Sequence, residues 1–452
     1  MQDLILDIES LDMEGRGIGH LRNEDGTPGK VIFVEGALPG ERVGFSSYRK
    51  KPNWEAAKMT TLHRESGLRV TPKCEYFGLC GGCAMQHLEP SAQVAAKQRV
   101  LEDSLWHIGK TKAENMLRPI YGPTWGYRYR ARISVRNVPK KGGVLVGFHE
   151  RKSSFITDMT SCQILPAHVS AMLVPLRHLV ASMAAMEALP QIELAIGEGE
   201  GGKQVTVLVL RHMVQLVADD EIKLRAFADL HDVQWWLQPQ GPDSAYPFYP
   251  AQSDLHYTLP EFGVRMPFKP TDFTQVNHQI NRVLVARALR LLHIAPGERV
   301  ADLFCGLGNF TLPIATQAAR VVGIEGSTAL TDRATGNAAA NGLSDKVEFY
   351  CRNLFEATAQ DFVALGKFDR MLIDPPREGA QAVCQAIIDL GALAPELKPK
   401  RIVYVSCSPG TLARDAGMLV QNGGYVLKHA GVVNMFPHTA HVESVAVFDL
   451  IV

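Results

Sequence analysis

This sequence has no long hydrophobic segment. No apolar run in its 452 residues reaches the roughly 18 residues that a membrane helix needs. The first residues, Met1–Leu4, include none of the basic side chains that open a secretory signal peptide. We therefore expect a cytoplasmic protein without a membrane partner, and the length predicts two to four domains.

The sequence also lacks net charge, because 47 basic residues balance 47 acidic ones. Nothing global therefore marks a nucleic-acid-binding protein. Positive charge is concentrated locally, where basic residues alternate with apolar or aromatic ones. The alternating residues are Arg128, Arg130, Arg132 and Arg136. Alternation predicts a strand with one basic face, which suits phosphate contacts, although a solvated sheet face would show the same pattern.

Cysteine is scarce, and eight residues in a chain of this length argue against a disulfide scaffold. Four of them look grouped. Cys74, Cys80 and Cys83 form a compact triplet among glycines, and Cys162 is the natural fourth thiolate. Four thiolates suit zinc or an iron–sulfur cluster. Zinc ribbons usually offer two Cys-x2-Cys pairs, so the spacing favours iron–sulfur over zinc or no metal.

The pattern of secondary structure changes along the chain. Short β-like runs at the start predict a small OB-like barrel, and a helical pattern follows near residues 91–108. A mixed β-rich stretch comes next, and alternating helix and strand from residue 271 predict a doubly wound parallel sheet. We expect an α/β protein with a barrel at 1–65, a central domain at 66–265 and a Rossmann-like catalytic domain at 266–452.

A candidate nucleophile lies at a strand-to-helix turn. Cys407 follows the apolar run 401–405 and precedes a helical pattern that begins near Pro409. A thiol there would face the carboxyl end of a sheet, where we expect the helix amides to favour the thiolate. A lone cysteine at a strand end is otherwise usually a small core residue.

Acidic residues lie in the same half of the chain. Asp374 follows an apolar strand and begins the run Asp-Pro-Pro-Arg, while Glu443 ends the run His-Val-Glu, 36 residues after Cys407. An acid, a nucleophile and a base are thus available for covalent catalysis. His438 and His441 are rival candidates for the base.

A cofactor site is predicted where an apolar strand runs into a glycine loop. Gly306 and Gly308 let the backbone approach a ligand, and Asp302 and Asn309 add polar contacts. A second strand ends in Glu325, which suits ribose hydroxyl groups. A dinucleotide would also use this acid, but Thr311 replaces the third glycine of that motif. The shorter loop favours S-adenosylmethionine.

Five ordered motifs together resemble the uracil-C5 RNA methyltransferase family. They lie at residues 273–277, 302–310, 374–377, 406–409 and 441–443, and the resemblance covers nearly the whole chain. It implies a TRAM barrel at 1–65, a 4Fe–4S cluster on the four grouped cysteines and a helix near 93–118 that packs with the catalytic domain. A chain with both barrel and cluster resembles the members that modify 23S ribosomal RNA, and we expect it to be a monomer. A transfer-RNA enzyme would ordinarily lack the cluster.

The resemblance also implies roles for individual residues. Cys407 would be the nucleophile, Glu443 the base, and Asp374 a hydrogen-bonding partner of the uracil edge. Phe273 would stack on the extruded base. S-adenosylmethionine would be contacted by Gln275, Phe304, Asn309, Glu325, Asn353 and Asp374. Ser408, where relatives often carry asparagine, and Glu378 depart from the family pattern. An amino-methyltransferase, which would need no cysteine, is the alternative reaction class.

Overall fold

The computed structural model describes residues 4–12, 14–23 and 25–451 and contains three β-sheets. The first sheet has six strands in the order β1-β5-β6-β4-β3-β2. These strands are β1 Leu4–Asp7, β2 Ser10–Leu11, β3 Gly17–Arg22, β4 Pro28–Glu35, β5 Arg42–Lys50 and β6 Trp54–Arg64. Because β1 and β2 belong to one continuous segment that pairs with β5 on one side and β3 on the other, the sheet closes on itself.

A long helix and a short strand follow the cysteine-rich segment. The helix α1 spans Pro90–His107, and the strand β7 spans Asn115–Met116. Pro90 suits the first helical position, and the Glu89 side chain accepts a hydrogen bond from the Ala92 amide at 3.0 Å. These two features set the start of α1 at the place that the helical sequence pattern predicts.

The central sheet has eight strands and two accompanying helices. Its elements are β8 Arg130–Val138, β9 Gly143–Gly147, α2 Ala167–Ser182, β10 Gln191–Glu198, β11 Gln204–Arg211, α3 Ala218–His231, β12 Gln234–Gln238, β13 Tyr246–Tyr249, β14 His256–Leu259 and β15 Val264–Pro267. On β8, Ala131, Ile133 and Val135 are buried while Arg132 and Arg136 are exposed. The alternation in the sequence thus corresponds to the two faces of this strand.

The third sheet carries the strand ends that the sequence singles out. Its elements are α4 His278–Leu292, β16 Arg299–Leu303, α5 Thr311–Ala315, β17 Arg320–Glu325, α6 Thr328–Ala340, β18 Val347–Cys351, α7 Ala359–Leu365, β19 Arg370–Ile373, α8 Gln381–Leu393, β20 Arg401–Ser406, α9 Pro409–Gln421, β21 Tyr425–Val433 and β22 Glu443–Leu450. The strand order is β18-β17-β16-β19-β20-β22-β21-β7. The first five strands are parallel, and β22 is antiparallel to both of its neighbours.

This topology positions a site at one edge of the third sheet. The carboxyl ends of the parallel strands meet there, and the antiparallel β22 brings its first residue, Glu443, to the same edge. The central strands are buried on both faces, as their nearly continuous apolar sequences predict. The side chains that follow them are therefore held by a rigid core.

Helix α1 and strand β7 join the third sheet, although the whole central sheet separates them from it in the sequence. Helix α1 packs on α9 and β21, and β7 pairs with β21. The helix α9 approaches closely because Gly417 lacks a side chain, since an added Cβ would lie 2.7 Å from the Gly109 carbonyl oxygen. In the described parts of the chain, no helix combines the length and the hydrophobicity that crossing a membrane requires.

Candidate active site

A cavity of about 760 Å³ opens at the edge where the parallel strands of the third sheet end. It brings together the three predicted catalytic residues and the six residues that the family resemblance assigns to S-adenosylmethionine. Its predicted members are Phe273, Gln275, Phe304, Asn309, Glu325, Asn353, Asp374, Cys407 and Glu443. Residues from distant parts of the sequence thus share one enclosed space, which is the arrangement that two-substrate chemistry needs.

Strand pairing places the candidate nucleophile next to the candidate base. Ser406 at the end of β20 is paired with Ser444 near the start of β22. Cys407 directly follows Ser406, and Glu443 directly precedes Ser444, so the two residues lie at the same end of this antiparallel pair. Asp374 follows the neighbouring strand β19, and its amide donates to the Leu303 carbonyl at 3.2 Å.

The pKa values of all three groups are raised, and for Cys407 this is opposite to the direction that we expected. Burial raises the pKa of Asp374 to about 7, and burial together with Asp374 raises the pKa of Glu443 to about 8. Burial, Glu443 and Asp374 raise the pKa of Cys407 to about 11, against the opposing effect of Arg377. The net pKa of the Cys407 thiol is thus raised, which is opposite to the lowering that we expected from the helix start. Pro409, the first helical residue, has no N–H to offer.

The glycine loop holds Glu325 in a fixed orientation. Its carboxylate accepts hydrogen bonds from the Gly306 amide at 3.1 Å and the Gly326 amide at 2.8 Å. Each oxygen keeps further lone-pair sites that are not used by these amides. The carboxylate is therefore presented to the cavity as an acceptor, which is the role predicted for contacts with ribose hydroxyl groups.

The amide of Asn309 is fixed in the same way. Asn309 and Asn281 exchange hydrogen bonds of 2.9 and 3.1 Å, and the Tyr257 hydroxyl also donates to the Asn309 side chain at 2.9 Å. Asp302, which we expected to add a polar contact, is instead fully buried and does not line the cavity. It accepts a hydrogen bond from the Thr311 hydroxyl, and burial raises its pKa to about 8.

The aromatic wall of the cavity includes a strained residue. Phe304 has a φ of 62°, in the region that favours glycine, yet it keeps a ring that packs 5.7 Å from the Phe355 ring. Asn353 accepts a hydrogen bond from the Phe355 amide at 3.1 Å. Strain of this kind persists where the surroundings hold the residue firmly, and it is concentrated at functional sites.

The two rival histidines occupy different environments. His441 lines the cavity, 3.4 Å from the Arg377 guanidinium. His438 is buried away from it, stacked 3.9 Å from Trp125 and hydrogen-bonded to Gln93. Arg377 and Phe436 also line the cavity, although we predicted no role for either. The Asp-Pro-Pro-Arg motif was the signal that pointed to Arg377.

The four grouped cysteines line a second cavity of about 310 Å³. The proximity of their sulfurs is reflected in the pKa of Cys83, which burial raises to about 12 with contributions from Cys162, Cys80 and Cys74. Among the described residues, no set of three or more His, Cys, Asp or Glu side chains is arranged to hold a metal ion. The four thiols line one cavity, and four thiols are the donor set that either a zinc ion or an iron–sulfur cluster takes.

The two cavities share part of their lining. Arg128 and His441 contribute to both, so the cysteine site borders the candidate active site. The other predicted RNA-binding arginines lie outside the larger cavity. Arg132 is 68% exposed, whereas the Arg130 guanidinium donates to the Asp272 and Pro270 carbonyls. Arg130 is therefore largely buried and occupied within the protein. Arg132, which pairs with Glu193, and Arg136, which donates to the Ser154 carbonyl, remain exposed.

Comparisons with known proteins agree with this arrangement. A family model described as tRNA (Uracil-5-)-methyltransferase matches residues 263–449. Two curated relatives are each named 23S rRNA (uracil(1939)-C(5))-methyltransferase RlmD. The relative from Cupriavidus pinatubonensis is 65% identical over 99% of this chain and 96% of its own length. The relative from Ralstonia pickettii is 65% identical over 98% of both chains.

A solved structure shares the fold over nearly the whole chain. It is the Pyrococcus abyssi tRNA (uracil-54, C5)-methyltransferase in complex with S-adenosyl-L-homocysteine, with a TM-score of 0.71 and 22% identity. The match covers 98% of this chain and 100% of that one. The fold is thus that of a methyltransferase, and the identity to the curated relatives is far higher. The chain belongs to the RlmD family of 23S rRNA (uracil-C5)-methyltransferases.

Proposed function

We propose that this protein transfers a methyl group from S-adenosylmethionine to C5 of a specific uridine in 23S ribosomal RNA, through a covalent bond between Cys407 and uracil C6. The observation that carries the proposal is that Cys407, Asp374 and Glu443 share one cavity with Gln275, Phe304, Asn309, Glu325 and Asn353. The names of relatives at 65% identity support the substrate and the position of methylation.

S-adenosylmethionine supplies an electrophilic methyl group on a sulfonium. Glu325, held by the Gly306 and Gly326 amides, would accept hydrogen bonds from its ribose. Gln275, Phe304, Asn309 and Asn353 would form the rest of the cofactor wall, because all four line the same cavity. A bound cation beside Asp374 would lower the pKa of that carboxyl and favour its ionised form.

Cys407 has a defined chemical task in this scheme. Uracil C5 is a poor nucleophile until a thiolate adds to C6 and moves the π electrons towards the C4 carbonyl. The thiol proton must leave first, because the pKa of Cys407 is about 11. The Asp374 carboxylate, which shares its cavity, would accept that proton, so that Glu443 is left free for the later step. Asp374 would also hydrogen-bond the uracil edge, which would favour the developing enolate.

Glu443 acts after methyl transfer. C5 then carries both a methyl group and its original hydrogen, and a base must take that proton so that the C6–sulfur bond breaks and the ring double bond returns. Glu443 is buried at the strand end beside Cys407, so its ionised form is poorly solvated and strongly basic. Asp374 would stay hydrogen-bonded to the uracil edge during this step.

RNA would reach the cavity past an exposed aromatic side chain. Phe273 is 72% exposed and lines the cavity, so its ring is available to stack on an extruded base. Arg128 lies between the two cavities, and Arg132 and Arg136 continue the basic face along β8. The closed six-stranded sheet at residues 4–64 would be the TRAM-like RNA-binding barrel.

The cysteine site would hold a 4Fe–4S cluster through Cys74, Cys80, Cys83 and Cys162. The proposal depends on the cavity that all four thiols line and on the spacing of the triplet. The reaction needs no electron transfer, so the cluster would serve structure or RNA binding. Anaerobic purification followed by iron and sulfide assays would test it. About four irons and four sulfides per chain are expected, whereas a single zinc would refute it.

The function itself is tested with labelled cofactor. The protein is incubated with tritiated S-adenosylmethionine and unmodified 23S RNA, the RNA is digested to nucleosides, and Cys407→Ala is run alongside. We expect label in 5-methyluridine, lost in the variant. Label in a methylated purine, or activity that survives without the thiol, would overturn the proposal.

A monomeric state, a cytoplasmic location and the domain limits 1–65, 66–265 and 266–452 stay predictions.

A further inference from the structure

The loop between β21 and β22, residues 434–442, carries much of the active-site wall. It contributes Phe436 and His441 to the larger cavity, and it ends directly before Glu443. A shift of this loop would therefore move two lining residues and the start of β22 together. We call it the β21–β22 loop.

Lys97 contacts the first part of this loop from α1. Its side chain is 2% exposed, and its ammonium nitrogen lies 2.8 Å from both the Asn434 side-chain oxygen and the Phe436 carbonyl oxygen. The two bonded residues are two positions apart, so one ammonium group bridges a bend in the loop. Phe436 is also one of the residues that line the cavity.

The environment of Lys97 makes this contact costly. Both acceptors are neutral oxygens, and a buried ammonium without a carboxylate partner loses more hydration than such bonds return. Burial accordingly lowers the pKa of Lys97 to about 7. An apolar side chain of similar length would fill the same space without this penalty. What the lysine adds is a pair of directed hydrogen bonds to the loop.

The middle of the β21–β22 loop is fixed separately. The His438 carbonyl accepts hydrogen bonds from the Ala84 amide at 2.8 Å and the Met85 amide at 3.0 Å. The His438 amide donates to the Gln93 side chain at 2.8 Å. These contacts hold the loop at its centre. The segment around Phe436 is held by the Tyr127 hydroxyl, which donates to the Pro437 carbonyl at 2.9 Å, by the Thr439 hydroxyl, which donates to the Phe436 carbonyl at 2.9 Å, and by Lys97 from α1.

We propose that Lys97 is a positioning residue for the methyltransferase reaction, because its ammonium holds the β21–β22 loop in the conformation that presents Phe436 and His441 to the cavity. The expected effect on kcat rests on the proposed function, whereas the expected effect on the conformation of the loop does not. Lys97 itself does not line the cavity, so it acts through the loop.

The test compares Lys97→Met with Arg99→Met. Methionine keeps the apolar stem of Lys97 and removes its hydrogen bonds. The control removes a cation from the same helix, where the Arg99 side chain is 72% exposed. We expect Lys97→Met to lower kcat about 10- to 100-fold, the loss typical of a misplaced reacting group. The KM for S-adenosylmethionine should stay within about threefold, because the cofactor wall is built by other elements. Arg99→Met should match the wild type.

Hydrogen exchange supplies a readout that does not depend on activity. In Lys97→Met, amides of residues 434–442 should exchange faster while those of β16 and β20 keep their protection. Unchanged exchange in the loop, or unchanged kcat, would overturn the proposal. If Lys97→Met loses protection throughout, Asn434→Ala removes one acceptor instead, and an unchanged loop in that variant would also overturn it. A wild-type protein that methylates no uridine would refute the proposed function, whereas the exchange comparison would still decide the role of Lys97.

Discussion

Glu443 and Cys407 lie at the same end of the antiparallel pair β22 and β20, and Glu443 raises the pKa of the Cys407 thiol. The two groups therefore oppose each other's ionisation. A thiolate at Cys407 forms most easily while Glu443 is neutral, yet in the proposed mechanism proton removal from C5 requires the Glu443 carboxylate. The proposed cycle would therefore use these two anions in succession, and several consequences can be measured.

Replacing the nucleophile should abolish methylation without disturbing the cofactor site. We expect Cys407→Ala to lose at least about 10⁴-fold in kcat, because direct attack by uracil C5 lacks the activation that the thiolate provides. Affinity for S-adenosylmethionine, measured by calorimetry, should change less than about threefold. Cys384→Ala is the matched control, since Cys384 is buried in α8 and lies outside the cavity lining. Residual turnover near the wild-type rate would contradict the role of Cys407.

The pH dependence of the reaction should report the raised pKa values. Burial raises the pKa of Glu443 to about 8, and only its ionised form accepts a proton. The rate should therefore fall as the pH drops below about 8, approaching tenfold per pH unit. The kcat profile should have its inflection at a lower pH than the profile of kcat/KM for S-adenosylmethionine. The reason is that the bound sulfonium is a cation, which lowers the pKa of a nearby carboxyl. A flat profile between about pH 6 and 9 would exclude a buried carboxyl as the base.

The same pKa predicts a change in stability. Glu443 keeps its proton in the folded protein up to about pH 8, whereas in the unfolded chain it loses the proton near the ordinary value of 4.5. The folded state thus binds more protons between these values, so its contribution to stability decreases as the pH rises through that window. Glu443→Gln should therefore melt higher than the wild type at about pH 8.5, with a smaller difference at about pH 5. Equal melting temperatures at both values would contradict the burial argument.

The positions of the reacting groups follow closely from the sequence. Asp374 and Cys407 each come directly after an apolar run, and parallel strands bring such positions to one edge of a sheet. The same reasoning placed Glu325 after β17. Short-range pattern and the general geometry of α/β sheets were sufficient in these cases.

Other features depend on contacts between distant residues and could not be predicted. Lys97 and Phe436 are separated by 339 positions, and nothing in the pattern of α1 indicates that a lysine on its inner face is buried against a loop. Arg130 obeys the same alternation as Arg132, yet tertiary packing occupies its guanidinium. The raised pKa of Cys407 likewise depends on Glu443 and Asp374, which come from other strands.

The basic face of β8 can be tested through salt dependence. Arg132→Ala and Arg136→Ala should each weaken RNA binding and reduce the slope of log affinity against log salt by about 1, because each loses one phosphate contact. Lys203→Ala, which removes an equally exposed cation from the central domain, should leave the slope unchanged. Arg130→Ala should instead lower the melting temperature, since its guanidinium holds backbone carbonyls. If neither substitution changes the slope, Arg132 and Arg136 do not belong to the RNA interface.

The covalent intermediate offers the most direct test of the central claim. Glu443→Gln is incubated with 23S RNA and S-adenosylmethionine, denatured and analysed by gel electrophoresis and mass spectrometry, with Cys407→Ala/Glu443→Gln as the control. We expect a stable protein–RNA adduct that carries the transferred methyl group, attached at Cys407 and missing from the double variant. Normal turnover by Glu443→Gln, or an adduct that persists without Cys407, would contradict it.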